Sequence, residues 1–84
     1  MRTFTQFIHH HMKRLDDSLR MVHNSRSDVK LKTHAYVQFA KMLHDWREYK
    51  GIMEPRTWAL EWLNKNNDEI VDNFMRYLIV ERWD

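Results

Sequence analysis

Apolar residues recur near the start of this chain at Ile8, Met12, Leu15, Leu19 and Val22. The steps of 4, 3, 4 and 3 put one side of an α-helix against a core, and Phe4 extends the stripe upstream. Thr3 followed by Gln6 forms a capping box, so the spacing predicts a first helix over residues 4–23. The polar run "NSRS" (24–27) reads as a linker. A second stripe, Ala35, Phe39, Met42, Trp46 and Tyr49, is widened by Tyr36 and Leu43 and predicts the strongest helix of the chain. Gly51 after Lys50 reads as its left-handed stop. The segment "SDVKLK" is either an early turn of this helix capped by Ser27 or a short extended lead-in.

Pro55 suits the first turn of a third helix, on which Trp58, Ala59, Trp62 and Leu63 share a face. "NKNN" weakens that helix, and Asn66 with Glu69 resembles a capping box for a fourth through Ile70, Val71, Phe74 and Leu78. The expected architecture is therefore all-α, a single-domain bundle of three or four helices over residues 1–84, with breaks near 24–28, 51–54 and 65–68. One glycine and one proline in 84 residues support this, since sheet proteins need many tight turns.

Composition and charge narrow the function classes. Four Trp, four Phe, three Tyr and six Met supply a core and argue against disorder. With no cysteine, no disulfide or thiolate metal site is available. No apolar run approaches the roughly 18 residues of a membrane span, and no signal peptide is evident, so a cytoplasmic protein without membrane attachment is expected. The net charge of +2 is uneven. Residues 1–34 carry seven Lys/Arg against three acids and five of the six histidines, and the remainder carries seven against nine.

The triplet His9–His10–His11 invites a metal site. On a helix, however, successive side chains diverge by about 100°, and no two histidines stand at the i,i+3 or i,i+4 spacing of a helical ligand pair. His11 falls at the edge of the apolar stripe. No nucleophilic cysteine, glycine-rich phosphate loop or serine elbow is present, and the neighbours Asp16 and Asp17 point apart. These observations predict no enzyme, no metal or other cofactor and no small-molecule substrate.

Binding remains. Several large apolar residues lie off the main stripes: Phe7, Met21, Val37, Leu60, Ile79, Val80 and Trp83. Interfaces are enriched in such side chains, so these seven are the predicted contact set for a partner protein or for self-association. The expected function is a small non-catalytic regulator or inhibitor of a larger protein or complex, of the size and composition seen among phage and mobile-element regulators. The alternative is a DNA- or RNA-binding regulator. Its basic N-terminal set would be Lys13, Arg14, Arg20, Arg26, Lys30 and Lys32, and a weak helix-turn-helix at about 40–65 would add Arg56 and Lys65.

Overall fold

The computed structural model describes residues 2–83 and contains four helices among them: α1 (Phe4–Leu19), α2 (Arg26–Glu48), α3 (Pro55–Lys65) and α4 (Asp72–Glu81). The protein is a small all-α bundle in which α1 packs along α2 and α3 packs along α4. Its breaks, 20–25, 49–54 and 66–71, overlap the three predicted ones but are shifted, and the cap chemistry differs at each.

The start of α1 is the predicted capping box. Thr3 Oγ1 accepts from the Gln6 backbone N–H (3.1 Å), and Gln6 Oε1 accepts from that of Thr3 (3.0 Å). The helix ends at Leu19, short of the predicted residue 23. Asn24 Nδ2 donates to the carbonyls of Ser18 and Met21 and so closes the turn early. Val22, placed by its spacing on the buried stripe, is 92% exposed as a result. Helix α2 begins two residues earlier than a Ser27 cap would allow. Ser25 Oγ accepts from the Asp28 N–H (3.1 Å), so "SDVKLK" is fully helical. Lys32 then ties the two helices by donating to Ser18 Oγ and Asn24 Oδ1 (3.0 Å to the latter) while pairing with Asp28 at 2.7 Å.

Gly51 is not a left-handed stop, since no described residue has positive φ. Helix α2 ends earlier, with Tyr49 extended at its C-cap. Glycine is needed at 51 for close approach: a Cβ there would lie 2.1 Å from Tyr49 Oη. That hydroxyl folds back over the turn and accepts from the Met53 N–H at 3.1 Å. Pro55 does open α3. Asn66 closes α3 rather than starting α4, donating its backbone N–H (2.9 Å) and its Nδ2 (3.0 Å) to the Trp62 carbonyl. Asp68 makes the intervening turn, its side chain accepting from Ile70 N–H and its carbonyl from Val71 and Asp72 N–H. Helix α4 therefore begins only at Asp72.

One continuous core joins the four helices. Phe39 and Met42 of α2, Trp58, Ala59, Trp62 and Leu63 of α3, and Met75 of α4 are all buried in it. At one end the aromatic rings interlock. Trp83 stacks on Phe7 (centroids 4.4 Å apart) and on Phe4 (5.5 Å), while Trp46 meets Phe4 and Trp58 edge-on.

Three members of the predicted contact set are therefore core residues. Phe7 and Ile79 are fully buried and Trp83 is 7% exposed. The reasons are geometric. Helix α1 is covered on two sides, so its buried arc is Phe4, Phe7, Ile8, His11 and Leu15, rotated away from Leu19 and Val22. The buried face of α4 runs through Val71, Met75 and Ile79 rather than through Phe74, and the chain after α4 folds Trp83 back onto the start of α1. The tryptophan surplus is thus absorbed inside the protein.

Candidate docking face

Helix α2 is the longest element, and its two sides have different jobs. Ala35, Phe39, Met42 and Leu43 face the core, whereas Val29, Thr33, Val37 and Ala40 step along the opposite side and are exposed. Successive offsets of 4, 4 and 3 keep these four residues in one row, and Tyr36 lies at its edge. Val29, Tyr36 and Val37 are 39%, 37% and 44% exposed. Three turns of a solvated helix face thus carry no charge, where a solvated face ordinarily carries Lys, Glu or Arg.

Charged residues border the row instead. Arg26, Lys30, Lys41 and Arg47 are exposed along α2, and none of the four takes part in an ion pair among the described residues. Two acids share this helix end: Glu48 is exposed, and Asp45 Oδ2 accepts from Trp62 Nε1 at 2.5 Å. Along α2 itself the balance is positive, while Asp68 and Glu69 line the cleft beside the row.

A cleft of about 770 Å³ lies beside the row, between α2 and the turn linking α3 to α4. Val37 and the 42%-exposed Ile70 form its apolar lips. Two polar bridges hold its walls together. Gln38 Nε2 donates to the Asn66 carbonyl (3.1 Å), and His34 Nδ1 lies 2.9 Å from Asp68 Oδ2. The hydrogen bond from His34, before any other influence, holds the Asp68 carboxyl below its ordinary pKa. These two bridges join α2 to the α3–α4 turn across the cleft.

The remaining predicted residues scatter. Met21 is exposed in the α1–α2 turn, Val80 is exposed on α4, and Leu60 is half-buried against the core. Val37 alone of the seven lies on the α2 row. The basic set divides as well. Arg26 and Lys30 share the α2 border, and Arg14 and Lys32 line a cleft against α4. Arg20 pairs with Asp16 (3.1 Å), and the Arg56 guanidinium sits 5.5 Å from the centroid of the Trp83 ring. Lys13 lines a shallow cleft between α1 and α2 with Tyr36 and Leu43, and Lys65 stands in the last turn of α3. On α3, Arg56 and Lys65 of the helix-turn-helix reading are both exposed, while Asn64 between them accepts from Arg76 of α4. Val29 and Ile70 were outside the predicted set, and Tyr36, read as widening the core stripe, is 37% exposed at the row's edge. For Val29, the signal was an uncharged row repeating at helical spacing opposite the main stripe.

The three adjacent histidines do diverge: His9 is exposed, His10 half-buried and His11 buried. Burial foremost, with the neighbouring His10 and the more distant Arg14 and Arg2 adding to it, pushes His11 down to a pKa of about 4, against the opposing pull of the Arg82 backbone carbonyl. His10 is lowered as well, by burial and by Arg2 and Arg14. No group of three or more His, Asp or Glu side chains is arranged to hold a metal ion among the described residues. No helix there is long and apolar enough to cross a membrane.

No known protein family, curated protein or solved structure matches this chain.

Proposed function

We propose that this protein is a small non-catalytic regulator or inhibitor that binds a larger protein in the cytoplasm, and that it docks an acidic amphipathic helix of that partner along the outer face of α2. The observation that carries this reading is the uncharged row Val29–Thr33–Val37–Ala40, bordered by four unpaired bases and flanked by a walled cleft. A helix laid in a groove presents apolar anchors at i, i+3 or i+4, and i+7, which matches the spacing of that row. Acidic flanks on such a helix would meet Arg26, Lys30, Lys41 and Arg47, which supply steering and orientation more than raw affinity. The lack of cysteine supports the cytoplasmic setting. Nucleic-acid binding draws on Arg26 and Lys30 as well, but a Val/Thr/Ala row at the centre of a contact serves a protein partner better than a phosphate backbone.

The test is fluorescence anisotropy with a labelled synthetic helix that has a leucine seam and glutamate flanks. Binding should be saturable and should fall at least tenfold when Val29 and Val37 are both replaced by Glu. A peptide with lysine flanks should bind more weakly. Two outcomes would replace the reading. One is salt-sensitive binding of duplex DNA or RNA, lost with Arg26→Ala and Lys30→Ala, while the peptide fails to bind. The other is a dimer of the protein alone in sedimentation, dissociated by Val37→Glu, which would give this face to a second copy of the chain.

A further inference from the structure

A second cleft, of different character, opens where α1 and α4 meet the start of α2. Its apolar floor is Leu15, Phe74 and Leu78 with His11, and its rim carries Arg14, Lys32 and Arg82 beside the Tyr77 hydroxyl. No acidic residue lines it. We infer that this cleft binds a small organic anion, a carboxylate joined to an aromatic or branched aliphatic body, as a ligand rather than a substrate.

The cations are not equivalent. Lys32 already has Asp28 at 2.7 Å, so its charge is met within the protein. Arg14 and Arg82 have no ion-pair partner among the described residues. Arg82 Nε donates to Tyr77 Oη at 3.2 Å, which leaves its terminal nitrogens for a further acceptor. Two guanidiniums at one apolar mouth repel each other, and a carboxylate bound there would receive planar, charge-assisted hydrogen bonds.

The floor supplies the second, independent observation. His11 is 8% exposed, and its fully buried Nε2 makes no well-formed hydrogen bond, although the Arg82 carbonyl lies near enough to act on the ring. Buried polar atoms in folded proteins are nearly always paired, and an orphan among them calls for an explanation. Its low pKa keeps the ring uncharged at neutral pH, so the floor adds no third cation to the two arginines. The volume, about 310 Å³, lies at the lower end of small-molecule sites and sets the size of the guest.

The experiment is a heteronuclear NMR titration of the whole protein with 2-naphthoate, its neutral amide and inorganic phosphate as separate probes. Naphthoate should bind saturably, with a dissociation constant on the order of 0.1–1 mM for so small a guest. It should move the resonances of His11, Tyr77 and the Arg14 and Arg82 side chains. The amide and phosphate should each bind at least tenfold more weakly, because one lacks the charge and the other the apolar body. Arg14→Gln with Arg82→Gln should weaken naphthoate at least tenfold while circular dichroism shows the helices intact. Arg26→Gln with Arg47→Gln should leave naphthoate affinity unchanged. Equal binding of the amide, equal binding of phosphate, shifts confined to the α2 face, or no saturation by 10 mM naphthoate, about tenfold above the weakest expected dissociation constant, would overturn the inference.

Discussion

The end of α4 and the outer face of α2 both carry apolar residues off the main helical stripes, and the protein treats them oppositely. Ile79 and Trp83 are drawn into the core, Trp83 by stacking on Phe4 and Phe7. Val29 and Val37 stay in solvent on an element whose other side already fills the interior. An off-stripe apolar residue is buried when a second element lies within reach of it. Near the end of the chain one does, because Trp83 follows a short helix and can fold back. Midway along a 23-residue helix, the side facing away from its neighbours has nothing to cover it. What remains bare there is available to another molecule.

The contrast is broken most forcefully at Trp83. Replacing it with alanine removes the ring that stacks between α1 and the Arg56 guanidinium, and Trp→Ala in a core costs about 3–5 kcal/mol. Ile79→Ala should cost about 2–4 kcal/mol for the same reason. Chemical denaturation followed by circular dichroism should show a lower midpoint in both. A Trp83→Ala protein with wild-type stability would mean that the aromatic end is not packed as described.

Next in size is the pH dependence of α1's buried edge. His11 faces Phe7, Phe39, His10 and the Arg82 carbonyl, with Arg14 and Arg2 nearby. Its folded pKa of about 4 lies below the unfolded value of about 6.5, so the unfolded chain takes up a proton first as pH falls. The associated stability is complete above about pH 6.5, is lost progressively down to about pH 4, and stays lost below that, up to about 3 kcal/mol in all. His10 is shifted in the same direction. The loss that Asp68 contributes lies lower, beneath its ordinary value of 3.8. Melting temperature measured from pH 7.5 to 4 should fall, and His11→Phe should flatten the slope. An unchanged slope in that variant would detach His11 from the effect.

A smaller effect tests the turn that separates the two hairpins. Gly51→Ala puts a Cβ into the Tyr49 ring, so the ring must swing away and release the Met53 N–H. The expected cost is about 1 kcal/mol, the scale of one hydrogen bond, and is readable as a shift in denaturation midpoint. A neutral result would show that Tyr49 has another place to go.

Much of the fold was legible in these residues. Periodicity pointed to three or four helices, of which four form, and Thr3–Gln6 and Pro55 marked two of their starts. Less legible was which polar residue would win each break. Asn24 and Asn66 cap the helices before them, and Ser25 takes the cap that one reading gave to Ser27, because side-chain reach to particular carbonyls and N–H groups decides between neighbours of similar propensity. Three of the seven predicted contact residues, Phe7, Ile79 and Trp83, are buried for a related reason. A helical wheel shows only which residues share a face; it does not show how many neighbours that face meets. Phe7 looked superfluous because one stripe was assumed for α1, whereas the helix is covered on two sides. Val29 and Val37 belong to a row that spacing alone displays, and the former was overlooked because it lies outside the dominant pattern.

The smallest expected stability change belongs to α2's outer face, and it should accompany the largest change in binding. Val29 and Val37 are 39% and 44% exposed, and glutamate is a better helix former than a β-branched residue, so each Val→Glu change should alter stability by less than about 0.5 kcal/mol. The most direct measurement is backbone amide shift mapping of the labelled protein as the acidic amphipathic peptide is added. The docking account predicts saturable shifts at Val29, Thr33, Val37, Ala40 and Ile70, with Phe7, Ile79 and Trp83 unmoved. Shifts centred on α1 and α4, or none at peptide concentrations that saturate the anisotropy signal, would contradict it.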